Sequence, residues 1–199
     1  MLRSLVGSEM CIRDRENKVF TTRPELIGTF GVVTTTHWIG SAVGMSILEK
    51  GGNAFDAAVA TGFVLQVVEP HLNGPGGDMP IIFQAAKNPQ PQVLCGQGTI
   101  PAAASIQKFS ELGLDLIPGS GLLCAMVPGA FDAWMLLLRD YGTMTLSEVM
   151  EPSITYARNG YPVVPRITAT IDTVRELFST EWKTSADIYL PNGEPPVPG

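Results

Sequence analysis

Positive charge is scarce in this sequence: 13 Lys and Arg stand against 19 Asp and Glu, for a formal net charge of −6. A surface of that sign repels phosphate backbones, and no basic run with interleaved aromatics offsets it, so nucleic-acid binding is excluded. Long apolar runs are missing too. Mostly apolar stretches such as residues 64–68 and 122–127 fall far short of the ~20 residues a membrane-spanning helix needs, and no membrane span is expected.

Cysteine and histidine are equally sparse. Cys11, Cys95 and Cys124 are odd in number and far apart, with no CxxC pair, which argues against a disulfide framework and a zinc site and leaves free or buried thiols. That usage fits a reducing compartment and slightly favours the cytoplasm over the periplasm or secretion. His37 and His71 are the only histidines, and neither accompanies a Ser or Cys nucleophile in a recognisable motif, so both read as satisfied structural side chains. Ser41, Ser46, Ser105 and Ser120 lie outside any G-x-S-x-G elbow, which removes the serine-hydrolase case. No metal and no cofactor are expected.

What is present is apolar content: 45% of the 199 residues are hydrophobic and 16% charged, a balance that can fill a core. Residues 1–15 contain basic residues but no apolar region or small-residue cleavage site of a secretory signal. Residues 4–15 resemble adaptor read-through at the start of an assembled reading frame. Residues 1–15 are therefore read as a non-native leader, with any natural start missing, and residues 16–199 as one domain without internal repeats.

From Gly28 onward short β-like runs alternate with helical periodicity. Residues 31–35, Gly-Val-Val-Thr-Thr, suit a strand. Val43, Ile47 and Leu48 mark a helix that Lys50, Gly51 and Gly52 stop. Asn53 caps the next helix, whose buried stripe is Ala57, Thr61, Val64, Leu65 and Val68, with Asp56 as a cap or ion-pair residue and Pro70 at its end. Residues 73–78, Asn-Gly-Pro-Gly-Gly-Asp, make a tight loop with several positions open to positive φ. This loop lacks the GK[ST] of a P-loop and the spacing of a dinucleotide fingerprint, so a nucleotide role is set aside.

A hairpin follows, pairing residues 81–84 with 92–95 across a long polar loop, and Gly96 and Gly98 break the second strand. Phe131, Trp134, Met135 and Leu138 form a helical stripe. Thr145 and Glu148 have capping-box spacing for a further helix, which Pro152 kinks and Asn159 with Gly160 ends. Ile167, Ile171, Val174 and Phe178 mark one more, and the proline-rich residues 191–199 read as a loop. From the residues alone, the expectation stops at an α/β fragment.

Four segments in order go further: Leu-Glu-Lys-Gly-Gly-Asn-Ala-Phe-Asp-Ala-Ala-Val-Ala at 48–60, Gly-Pro-Gly-Gly-Asp at 74–78, Val-Pro-Gly at 127–129 and Tyr-Gly-Thr at 141–143. Over roughly residues 30–164 the chain resembles the N-terminal part of the large subunit of the gamma-glutamyltransferase family. The resemblance implies an α/β (α+β) fold, the four-layer αββα sandwich of the N-terminal-nucleophile hydrolases, present here incompletely. It implies a precursor that cleaves itself, a nucleophilic threonine at the new N-terminus of a small subunit outside this chain, and an α-amino group serving as base. The partners it implies are that missing C-terminal part and a small amide substrate such as a γ-glutamyl compound. No catalytic residue is assigned in this chain, and the isolated segment is expected to be inactive.

The family transpeptidases carry an arginine after the second hairpin strand, where its planar fork pairs with the glutamyl α-carboxylate. Alignment of residues 94–101 puts Gln97 or Thr99 in that place, which makes these two the candidate substrate-binding residues. Neither is charged, and a lost charge-assisted pair is worth ~1.5 to 3 kcal/mol. A neutral side chain suits an acyl group without that carboxylate, as in acylase and amidohydrolase relatives. Gly76, Gly77 and Asp78 are candidate loop-shaping residues near the subunit junction. The rival from another class is a non-catalytic degenerate relative or structural partner chain.

Overall fold

The structure is a computed structural model that describes residues 26–199; the leader assigned to residues 1–15, with Cys11, lies outside the described residues. The described residues fall into two units, 26–32 and Val33–Gly199. The first has no regular secondary structure. All described helices and strands belong to the second.

Residues 31–35 form no strand. Their β-branched side chains favour extended backbone, but a ladder needs a neighbour to take up its N–H and C=O groups, and neither described strand pairs with them. Helix α1, Trp38–Glu49, is capped by His37, whose Nδ1 accepts from the Ile39 N–H at 3.2 Å. It buries Ile39, Val43 and Ile47, and stops where Gly51 takes φ of 94°. Helix α2, Ala54–Val68, buries Ala57, Thr61, Val64 and Val68 as the stripe requires, while Leu65 is only half-buried. It also buries Val59, Ala60 and Phe63, because other helices pack on its remaining sides. Each fully buried Val or Ile contributes roughly 1.5 to 3 kcal/mol, so α2 is the centre of the core.

Strands β1, Met79–Phe83, and β2, Gln92–Gly96, form an antiparallel hairpin in which Ile81 opposes Leu94 and Ile82 opposes Val93. One face, with Met79, Ile81, Phe83 and Leu94, packs on the core. The other carries Pro80, Ile82, Val93 and Cys95 to the outside, with Ile82 78% and Val93 70% exposed. Helix α3, Ile106–Glu111, is capped by Ser105 and buries nothing; its sequence has too little apolar periodicity to announce it.

Helix α4, Ala130–Tyr141, buries Ala130, Ala133, Trp134, Leu137 and Leu138. The expected stripe is thus displaced: Phe131 is 45% exposed, since the small Ala130 and Ala133 allow closer approach than a Phe. Trp134 lies against Gly62, where a Cβ would stand 2.8 Å from the indole, so α2 and α4 meet on a glycine. Phe55, Phe83 and Tyr141 cluster at centroid distances of 4.8 to 5.5 Å, with Phe83 edge-on to the other two rings, fastening the hairpin to both helices.

Helix α5, Leu146–Asn159, has the predicted capping box, runs through Pro152 without a break and ends at Gly160 with φ of 83°. The single helix expected over Ile167 to Phe178 is two, α6, Pro165–Thr173, and α7, Arg175–Thr180. The Val174 N–H reaches the Ile171 carbonyl three residues back, which tightens the last turn of α6 and redirects the chain. With α8, Lys183–Tyr189, these helices enclose a small second cluster around Ile167, Ile171 and Leu190. The proline-rich tail has one short 3-10 turn, Pro191–Gly193. It is tied back where Arg175 meets Glu194 at 2.7 Å and the Thr168 hydroxyl donates to the Pro196 carbonyl at 2.9 Å.

Candidate functional site

The end of β2, the loop before β1 and the loop before α4 converge at backbone distance. The Gly77 carbonyl accepts from the N–H groups of Gly129 and Ala130 at 3.3 and 3.1 Å, so the 74–78 loop caps α4, which has no side-chain cap of its own. The Val127 N–H donates to the Thr99 carbonyl at 3.0 Å. At Gly98 a Cβ would lie 1.7 Å from the Val127 carbonyl oxygen, and at Gly129 one would lie 2.3 Å from the Gly96 oxygen. These two glycines are required by the close approach of neighbouring backbone. The sequence treated Gly98 only as a strand breaker.

Between these segments lies an open cavity of about 420 Å³ lined by Gly76, Gly77, Asp78, Gln97, Gly98 and residues 124–127. Beside it a smaller depression of about 180 Å³ shares Gln97, Gly98 and Val127 and adds Thr99 and Asp132. The structure therefore brings Gly76, Gly77, Asp78 and Gln97 to one cavity, and Thr99 to its neighbour. Gln97 and Thr99 are both exposed. The 74–78 loop is tight, as the Gly77 N–H to Gly74 carbonyl bond of 2.9 Å shows, but Gly74, Gly76 and Gly77 do not use positive φ. Sequence reading missed residues 124–127 as wall. Only the Val-Pro-Gly that begins at Val127 gave a signal.

The other two segments of the resemblance meet elsewhere, in a structural staple. Asp56 is fully buried, and its carboxylate accepts from the Asn53 N–H at 2.8 Å, the Thr143 N–H at 2.9 Å, the Thr143 hydroxyl at 2.6 Å and the Met144 N–H at 3.1 Å. Burial pushes this carboxyl up. The Thr143 hydroxyl and the three backbone N–H groups outweigh that push and hold it below the usual carboxylate range. The Asn53 amide adds a bond to the Tyr141 carbonyl at 2.7 Å. Asp56 is therefore more than a helix cap: it fixes the start of α2 to the turn between α4 and α5.

The histidines depart from expectation in part. His37 is satisfied at Nδ1, but among the described residues its buried Nε2 finds no partner, and neither do the two ring nitrogens of His71. Among the described residues no cluster of three or more His, Cys, Asp or Glu is arranged to hold a metal ion. Among the described residues no helix is long and apolar enough to cross a membrane. Cys95 and Cys124 are free thiols.

The family profile described as Gamma-glutamyltranspeptidase matches residues 40–199. The chain is 38% identical over 176 residues to the glutathione hydrolase-like YwrD proenzyme of Bacillus subtilis (strain 168), covering 87% of this chain and 33% of that protein. It is 35% identical over 183 residues to the acylase ACY 1 proenzyme of Pseudomonas sp. (strain SE83), covering 86% of this chain and 32% of that protein. The crystal structure of Helicobacter pylori gamma-glutamyltranspeptidase superposes with a TM-score of 0.81 at 30% identity, covering 88% of this chain and 51% of that one. The chain spans about a third of the length of these curated relatives. Its helices and hairpin are part of the αββα sandwich of the N-terminal-nucleophile hydrolases. With its four segments resolved into one staple and one cavity wall, the chain belongs to the gamma-glutamyltranspeptidase family of hydrolases and transferases.

Proposed function

We propose that this chain is the front part of the large subunit of an autoprocessed amidohydrolase or acyltransferase that acts on γ-glutamyl or related amides. The observation that carries the reading is the convergence of the 74–78 loop, Gln97 and residues 124–127 on one cavity. The relatives' standing as proenzymes supports a precursor that is cut. The nucleophile of this reading is a threonine in the remaining part of the precursor. Its oxygen bonds to the acyl carbon, the amide C–N bond breaks, and the proton leaves with the amine through the threonine's α-amino group. Water or an acceptor amine then takes the acyl group from the ester and restores the hydroxyl.

The apolar outer face of the hairpin fits this reading, since Ile82 and Val93 are where a second sheet layer would pack. The large-subunit residues offered to substrate are Gln97 and Thr99, with Gly76, Gly77 and Asp78 shaping the loop beneath. A second reading, an acylase without a glutamyl substrate, is favoured by the neutral Gln97 or Thr99 where the transpeptidases carry arginine, and by the likeness to an acylase proenzyme. Expression of the full precursor tests the proposal. Two chains on a denaturing gel, and release of p-nitroaniline from acyl p-nitroanilides, are expected. An uncut and inactive precursor sinks the enzyme reading in favour of a non-catalytic relative, and comparison of γ-glutamyl with plain acyl substrates separates the two enzyme readings.

A further inference from the structure

The charge of the cavity is of one sign. Asp78 forms one wall beside Gly77, Gln97 and Gly98 form a second, and residues 124–127, Cys-Ala-Met-Val, form a third. The adjoining depression adds Asp132 to a lining shared with Gln97 and Thr99. Among the described residues no Lys, Arg or His lines either space. Among the described residues Asp78 enters no ion pair, and no side-chain hydrogen bond ties up its carboxylate; Asp132 likewise enters no ion pair. An anionic group brought into this space meets two like charges and finds no countercharge among the described lining residues. A neutral group meets no charge repulsion there, and an ammonium gains Coulomb attraction.

We infer that Asp78 determines the charge class of the substrate, admitting acyl chains that end in an ammonium or a neutral group and excluding those that end in a carboxylate. The inference rests on the proposed enzyme reading and narrows its substrate. Asp78 acts on the remote end of the acyl chain and takes no part in the bond changes. Its charge is exposed and held in an open cavity, so its influence is that of one partly screened charge, about tenfold between substrates of opposite sign.

The test uses the self-cleaved full precursor and three p-nitroanilides of matched length: 5-aminopentanoyl, pentanoyl and glutaryl. The expected order of kcat/KM is aminopentanoyl, then pentanoyl, then glutaryl, with about a tenfold span between the first and last. Asp78→Asn shrinks that span to about threefold or less and Asp78→Lys inverts it, each read as the ratio between substrates within one variant so that any general loss of turnover cancels. Glutaryl turned over as fast as aminopentanoyl, or an order unmoved by both variants, overturns the inference and leaves the enzyme reading standing. Turnover of γ-glutamyl p-nitroanilide alone, with none of these three accepted, also overturns the inference, and no turnover of any of the four by a self-cleaved precursor removes the acyl-amide reading itself.

Discussion

Asp56 and Thr143, 87 residues apart, are joined by three hydrogen bonds, from the Thr143 N–H to both carboxylate oxygens and from its hydroxyl at 2.6 Å. Because the same carboxylate closes the capping box of α2, one side chain sets both where that helix starts and where α4 turns into α5. Asp56→Ala leaves several buried donors without a partner, at about 1 to 3 kcal/mol each before relaxation. The expected loss is about 3 kcal/mol or more of folding stability. Equilibrium urea unfolding, read as a lower midpoint with an unchanged slope, checks it.

The same site makes a pH prediction. The folded Asp56 carboxyl lies below its unfolded value, so it contributes stability that is fully present above the unfolded value and is lost as pH falls through the folded one. Thr143→Val removes the hydroxyl that most favours the anion and moves the acid edge of unfolding to higher pH. A carbon NMR titration of the Asp56 carboxyl gives the shift directly, and an acid edge that does not move contradicts the assignment.

Two glycines of the candidate site separate geometry from composition. Gly98→Ala drives a methyl into the Val127 carbonyl and breaks the Val127 to Thr99 bond, at a cost of about 1 to 3 kcal/mol. Hydrogen exchange at the Val127 amide is expected to speed up. Gly76→Ala meets nothing within 4 Å and is expected to stay within about 0.5 kcal/mol of the parent.

At the N-terminus of α1, His37→Ala loses the cap on the Ile39 N–H and costs about 1 kcal/mol, whereas His37→Asn supplies an oxygen in the same role and recovers most of it. Thermal midpoints of the two variants decide this, and equal losses would mean that the ring matters for packing and not for the cap.

Gln97→Arg restores a fork able to pair with a carboxylate. In the self-cleaved precursor it is expected to raise kcat/KM for γ-glutamyl p-nitroanilide about tenfold or more over the parent, with the pentanoyl substrate unchanged. A fall for both substrates would show that position 97 shapes the cavity without facing the acyl end.

Local signals in the sequence were followed closely where the deciding contacts are local. Asn53, Thr145, Gly51 and Gly160 mark helix ends because a cap or a left-handed stop involves residues within a few positions of one another. Residues 31–35 were misjudged because a strand depends on a neighbour that propensity does not supply. The shifted face of α4 and the break at Val174 are tertiary decisions, made by Gly62 under Trp134 and by the return of the chain toward Leu190. Gln97 and the 74–78 loop were named as site residues, but Gly98, Gly129 and the wall at 124–127 were not. Their part depends on backbone from distant segments, which composition does not reveal.

The hairpin is a ribbon greasy on both sides, since Ile82 and Val93 oppose each other on its outer face while Ile81 and Leu94 do so on its inner one. Such a ribbon specifies its register poorly by burial alone, because a slip of one residue trades one apolar set for another at little cost. Its alignment must instead be pinned from the ends, by Gly96 against Met79 and Ala133 and by Tyr141 donating to Gln92 at 3.2 Å. A single aromatic hydroxyl and a single missing methyl thereby keep time for the whole strand pair, and with it for the position of Gln97.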